Sequence, residues 1–203
     1  MIEGIIPGTK TRLRILSAIY ENPGINLTSL IKKSRTSPNI VLNYVNLLRK
    51  HRITDEETAI GKKKVHLRKI KPNLKNMLAR AVFSLIEHNK RYLFFEKYKG
   101  LKPPFEQLDE LIGNAVNFIV IYGSFARFAA EEDSDLDMLI VGKLDKEKIG
   151  RIKEIFISLK QKPSIKIETL SQFKRNLTKP LYQNILKEHI VTCGEEGFIS
   201  NYT

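Results

Sequence analysis

Apolar positions recur at helical spacing through the first fifty residues. Leu13, Leu16, Ile19 and Tyr20 share one face of a helix that Thr9 caps and Asn22-Pro23-Gly24 ends. Asn26 or Thr28 starts a short second helix carrying Leu27, Leu30 and Ile31. After a polar break at 32–36, Ser37-Pro38 reads as an N-cap with proline in the first helical position. The third helix runs to about His51 and buries Val41, Val45 and Leu48. Arg52-Ile53-Thr54 and Lys64-Val65-His66-Leu67-Arg68 then read as a β-hairpin, separated by acidic residues and Gly61-Lys62-Lys63.

Lys71-Pro72-Asn73 divides this region from a long helix at about 74–98. Leu74, Met77, Leu78, Ala81, Val82, Leu85 and Ile86 form its apolar face, and Tyr92, Phe94, Phe95 and Tyr98 extend it as core or as an interdomain seam. Gly100–Pro104 reads as a loop and 105–114 as another helix. The pattern then alternates: strand 116–122, helix 124–130, strand 135–141, helix 145–161, strand 164–170, helices 171–177 and 180–190, and a short edge strand at 190–192. The expected fold class is α/β (α+β), in two domains. Residues 1–71 form the first. Residues 72–203 form the second, with a helical lead-in at 72–114 and a core at 115–192 built on a small mixed sheet flanked by helices.

Charge separates the same two regions. The chain carries a net charge of +13. Residues 1–72 hold 15 Lys and Arg against 5 Asp and Glu, and the remainder 20 against 17. A basic first domain beside a near-balanced second one points to a polyanionic partner for the first. No apolar run reaches membrane-spanning length and no secretory pattern opens the chain, so a cytoplasmic protein without membrane contact is expected. The single cysteine, Cys193, excludes an internal disulfide and reads as a small apolar filler. His51, His66, His88 and His189 lack Cys or His neighbours at ligand spacing, which argues against zinc.

The chemistry concentrates between two apolar runs. Phe118-Ile119-Val120-Ile121 ends in Gly123-Ser124, and Asp135 and Asp137 open Leu139-Ile140-Val141. A Gly-Ser turn between strand and helix aims backbone N–H groups at phosphate. Two carboxylates two residues apart on a strand share a face. They repel unless a cation lies between them, and Mg²⁺ carrying a nucleotide's phosphates is the usual solution. Arg127 either contacts phosphate or pairs with Glu131 one helical turn away. Glu131, Glu132 and Asp133 read as a solvated loop.

Gly123, Ser124, Ala126, Arg127, Ser134, Asp135 and Asp137 resemble the motif of the DNA polymerase beta-like nucleotidyltransferases, in particular the small prokaryotic minimal members. The resemblance covers about residues 75–192, with Phe128 standing where small members usually have glycine. It implies an NTP substrate and Mg²⁺, with two ions during turnover. Asp135 and Asp137 would be catalytic and hold metal, and Gly123, Ser124 and Arg127 would bind nucleotide phosphate. A third catalytic carboxylate is expected on a neighbouring strand, where 164–170 offers Glu168. Lys166 shares its face, so the two also read as a surface ion pair. The implied reaction moves an NMP, most plausibly AMP, to a hydroxyl of protein, RNA or a small molecule. The resemblance also implies a HEPN-type protein partner.

Three helices and a hairpin over about 8–70 resemble a winged helix-turn-helix domain, which implies DNA binding and, by analogy, a homodimer. Ser37, Asn39, Asn43, Tyr44 and Asn46 would line the exposed face of the third helix, where Asn can read adenine. Lys62, Lys63, Lys64 and Arg68 would contact phosphates through the wing. Ile40, Leu42 and Leu47 add apolar area that suits a second domain or a dimer partner. The function expected is an Mg²⁺-dependent nucleotidyltransferase fused to a DNA-binding module. The alternatives are a nucleotide-sensing transcriptional regulator with a weak or inactive transferase domain, and an N-terminal domain that binds protein rather than DNA.

Overall fold

The computed structural model describes residues 4–60, 66–157, 159 and 162–201. The chain divides into two compact units, Met1–Ile86 and Glu87–Tyr202.

In the first unit the helices are α1 (Lys10–Glu21), α2 (Leu27–Ser34) and α3 (Pro38–Lys50). Thr9 caps α1 by accepting from the Arg12 N–H, and Asn26 caps α2 through the Ser29 N–H. Ile15, Leu16, Ile19, Leu30, Val41, Val45 and Leu48 are buried, as the helical spacing predicts. The strands are β1 (Ile25–Asn26), β2 (Thr54–Ile60) and β3 (His66–Pro72), forming an antiparallel sheet in the order β1-β3-β2. The hairpin differs from its expectation. Asp55, Glu56 and Glu57, read as separating residues, lie inside β2 and face the basic β3 strand. Helix α4 (Met77–Lys97) starts later than expected because Asn76 accepts from the N–H groups of Leu78 and Ala79. Its first turns belong to this unit, with Phe83 stacked on Tyr20 at a centroid distance of 5.3 Å. The division between the two compact units falls within α4, between Ile86 and Glu87.

The second unit is a four-stranded mixed sheet flanked by helices, the small mixed sheet expected of this region. Its strands are β4 (Val116–Ile121), β5 (Leu136–Gly142), β6 (Pro163–Glu168) and β7 (Ile190–Cys193), in the order β6-β5-β4-β7. β5 and β6 are parallel, and the other two pairs are antiparallel. The helices are α5 (Lys102–Ile112), α6 (Gly123–Ala126), α7 (Lys146–Ile157), α8 (Leu170–Asn176), α9 (Pro180–Lys187) and α10 (Glu195–Ser200). Pro103 and Pro104, read as loop, occupy the first turn of α5, where proline costs no hydrogen bond.

Strand alternation divides the sheet's residues between two cores. Ile119, Ile121, Leu136, Met138 and Ile140 pack with Phe105, Leu108, Ile112, Ile152 and Phe156 of α5 and α7. On the opposite face Phe118 meets Phe173 of α8 and Phe198 of α10, both edge-on. Asp137, Leu139 and Val141 belong to this second face, because Val120 pairs with Leu139 and Phe118 with Val141. No helix among the described residues is long and apolar enough to cross a membrane.

Candidate active site

The turn after β4 is built around Gly123. Its φ is +73°, and a Cβ there would stand 2.4 Å from Asp137 Oδ2. The Tyr122 N–H donates to the Asp137 carbonyl at 3.0 Å, continuing the β4–β5 ladder to the turn. The Asp137 carboxylate thus lies against the one backbone position that has no side chain. Asp135 stands exposed just before β5, two residues away and on the same face by alternation. The loop leading to it closes on itself: the Glu131 N–H donates to Ser134 Oγ at 2.9 Å and the Ser134 N–H to the Glu131 carbonyl at 3.2 Å. Ser124 sits half-buried in α6, and its carbonyl accepts from the Ala129 N–H. Gly123 and Asp137 therefore meet at one end of the sheet, with Ser124 the next residue in the turn and Asp135 two residues before Asp137.

Glu168 is not brought to the same place. Parallel register sets Ser164 beside Asp137, Lys166 beside Leu139 and Glu168 beside Val141. Glu168 lies on the expected face but four residues further along, about 13 Å of strand rise. It is buried there, accepting from the Tyr182 hydroxyl, from Lys166 Nζ at 3.1 Å and from Asn176 Nδ2 at 3.5 Å. The pairing with Lys166 is real, but it has a buried carboxylate rather than a surface one. Burial and then Glu168 raise the Tyr182 hydroxyl above its usual pKa, so that it remains a donor. Nothing in the sequence pattern marks Tyr182 and Asn176, because their role depends on α8 and α9 folding over the end of β6.

Arg127 caps the end of α6 and pairs with Glu188 at 3.6 Å, rather than with Glu131. Phe128, at the position usual for glycine in the resembling family, has a φ of +57°. That left-handed backbone explains the preference for glycine. Here the ring is retained by packing near Tyr98 and Phe94, at centroid distances of 6.3 and 6.5 Å, and Lys97 Nζ donates to its carbonyl. Among the described residues His189 pairs with Glu87 and His88 with Glu195. Among the described residues no group of three or more His, Cys, Asp or Glu is arranged to hold a metal.

In the first unit Ser37, Asn39, Asn43 and Asn46 are exposed on α3, with Ile40 among them. Tyr44 is not on that face. It is buried, its hydroxyl donates to the Ile5 carbonyl at 2.7 Å, and Arg12 lies over its ring. Counting along α3 explains the difference: Tyr44 falls beside Val41, Val45 and Leu48 on the apolar stripe. Arg68 makes a bidentate pair with Glu56 at 2.8 and 3.0 Å, so its charge is already balanced. Lys62, Lys63 and Lys64 lie outside the described residues.

Residues 106–196 match the model of the family described as Polymerase beta, Nucleotidyltransferase. The matched segment contains the Gly123 turn, Asp135, Asp137 and all four strands of the second sheet, which supports the superfamily for this unit and nucleotidyl transfer at the level of the family. No curated protein matches the chain.

Proposed function

We propose that the second unit binds a nucleoside triphosphate at the Gly123 turn and transfers its nucleotidyl group to a hydroxyl. In this reaction the acceptor oxygen bonds to the α-phosphorus, the bond from that phosphorus to the α,β-bridging oxygen breaks, and pyrophosphate leaves. The acceptor proton passes to solvent or to a base on the acceptor side. The observation that carries the reading is the Asp137 carboxylate packed over a glycine that no Cβ-bearing residue could replace without displacing it. Asp135 and Asp137 are hard oxygen donors, and Mg²⁺ is ordinarily held by one or two carboxylates plus substrate phosphates. The pair therefore fits one such ion, which when bound would neutralise charge on the triphosphate. Gly123 admits a phosphate close to the backbone, and Ser124 supplies a hydroxyl donor beside it. AMP from ATP is the transfer we favour, with a protein tyrosine, including one on a HEPN-type partner, RNA or a small molecule as acceptor classes. Incubation with α-labelled ATP, Mg²⁺ and candidate acceptors tests it: label transfer is expected from wild type and not from Asp135→Asn or Asp137→Asn. Identical behaviour of all three proteins would reject the reading.

The position of Glu168 favours a second reading, in which the site senses nucleotide without transferring it. A carboxylate engaged by Tyr182, Asn176 and Lys166 is poorly disposed to take an acceptor proton. In this case the first unit is the output. Its order of helix, strand, two helices and two strands supports a winged helix-turn-helix, with Asn39 and Asn43 as base readers. DNA affinity that falls steeply with salt and changes on adding Mg²⁺·ATP supports sensing. DNA affinity indifferent to nucleotide counts against it.

A further inference from the structure

The sheet face that carries Asp137 also carries a cation. Lys166 is the only Lys or Arg within the described strands β4 to β7. Register sets it opposite Leu139, one same-face step beyond Asp137 on the neighbouring strand. At this level β6 carries an ammonium and no carboxylate.

Lys166 rests on a buried anchor. Its Nζ lies 3.1 Å from Glu168 Oε1 and 5.2 Å from the centre of the Tyr182 ring. Its side chain is 41% exposed and that of Glu168 only 8% exposed. The anchor is held in the protein while the flexible four-carbon stem reaches solvent. Burial and then Asp137 raise the hydroxyl of Tyr122, the residue before Gly123, above its ordinary pKa, with Lys166 opposing and Tyr182 and Glu168 adding to the rise. A triphosphate brings more negative charge than one divalent cation cancels, and Asp135 and Asp137 add to it. The other basic group of the motif, Arg127, is paired with Glu188. Helix α6 has only four residues and offers little dipole.

We propose that Lys166 is a triphosphate-binding residue, held back by Glu168 and Tyr182 in the empty site and turned onto the β- and γ-phosphates when nucleotide binds. The proposal rests on the nucleotide-binding reading above and adds a residue to it. It also explains why β6 carries lysine at this level: the cation balances charge that a third carboxylate would increase.

The test is binding, by calorimetry, of the Mg²⁺ complex of α,β-methylene-ATP and of AMP to the full chain. The proteins are wild type, Lys166→Ala, Lys166→Gln, Lys166→Arg and Asp137→Asn. Loss of the charge in Lys166→Ala and Lys166→Gln is expected to weaken the triphosphate analogue about tenfold and to leave AMP nearly unchanged, with Lys166→Arg recovering most of the loss. Lys166→Gln preserves a hydrogen bond to Glu168, so it decides the matter should Lys166→Ala fold poorly. Equal affinity of wild type and the neutral variants for the analogue overturns the proposal, as does an equal loss for analogue and AMP. If Asp137→Asn alone weakens binding, only the role of Lys166 fails. If wild type does not bind the analogue, the nucleotide reading fails with it.

Discussion

Gly123 and Asp137 are fitted to each other: the space a Cβ would occupy on Gly123 is taken by the Asp137 carboxylate, 2.4 Å from that point. Gly123→Ala forces Asp137 to swing away and also places alanine at a φ of +73°. The clashing atom is the end of a short side chain, so the stability cost stays at about 1–2 kcal/mol, mostly from the backbone. The functional cost is larger, because the displaced atom is a candidate metal ligand. Calorimetry of Mg²⁺·ATP binding is expected to show a loss of about tenfold or more, alongside a small drop in melting temperature.

Glu168 provides the contrasting case. Glu168→Gln removes the charge that accepts from Tyr182 and pairs with Lys166. A stability loss of about 1–3 kcal/mol is expected by denaturant unfolding. Mg²⁺·ATP should bind no more weakly than to wild type, since the carboxylate lies far along β6 from Asp137. Strong loss of metal-dependent binding would show that Glu168 reaches the site after all.

At Phe128 two effects oppose each other. Phe128→Gly relieves a left-handed backbone, a gain of about 1–2 kcal/mol. It also removes a ring packed near Phe94 and Tyr98. Full burial would make that loss about 3–5 kcal/mol, and the ring is only partly buried. The packing term still wins, so thermal melting of the variant should fall by a few degrees.

Tyr44 ties part of the first unit's stability to alkaline pH. Burial pushes its hydroxyl well above the ordinary tyrosine pKa, with Arg12 opposing. The folded pKa exceeds the unfolded value of about 10, so the contribution is complete below about pH 10 and is lost as pH rises toward the folded value. Tyr44→Phe forfeits the hydrogen bond to Ile5 and should cost about 1 kcal/mol at neutral pH. That difference should close above pH 10 in urea titrations followed across pH.

Some of this architecture was legible along the chain. The stripe Val41, Val45 and Leu48, the Thr9 cap and the alternation of β5 depend on neighbours within a few residues, and periodicity reports such neighbours directly. Elements maintained by distant partners were not legible. β1 has two residues and exists by pairing with Ile70 and Lys69. The six residues of α10 were unread, although Phe198 packs on Phe118 across the sheet. Tyr44 was misplaced for a different reason, because its hydroxyl suggested exposure while its position on α3 put it in the apolar stripe.

The candidate site divides in the same way. Sequence alone placed the Gly123 turn after one strand and Asp137 at the start of the next, a unit whose geometry is local. It also determined that Lys166 and Glu168 share a face, because alternation is a property of a single strand. Only the tertiary structure decided their level relative to Asp137. That depends on the register of β6 against β5, strands joined through α7 and not through a turn that would set it. The register brought Lys166 to the first same-face position beyond Asp137's own level on β6, and left Glu168 one same-face step further, beneath α8 and α9 with Tyr182.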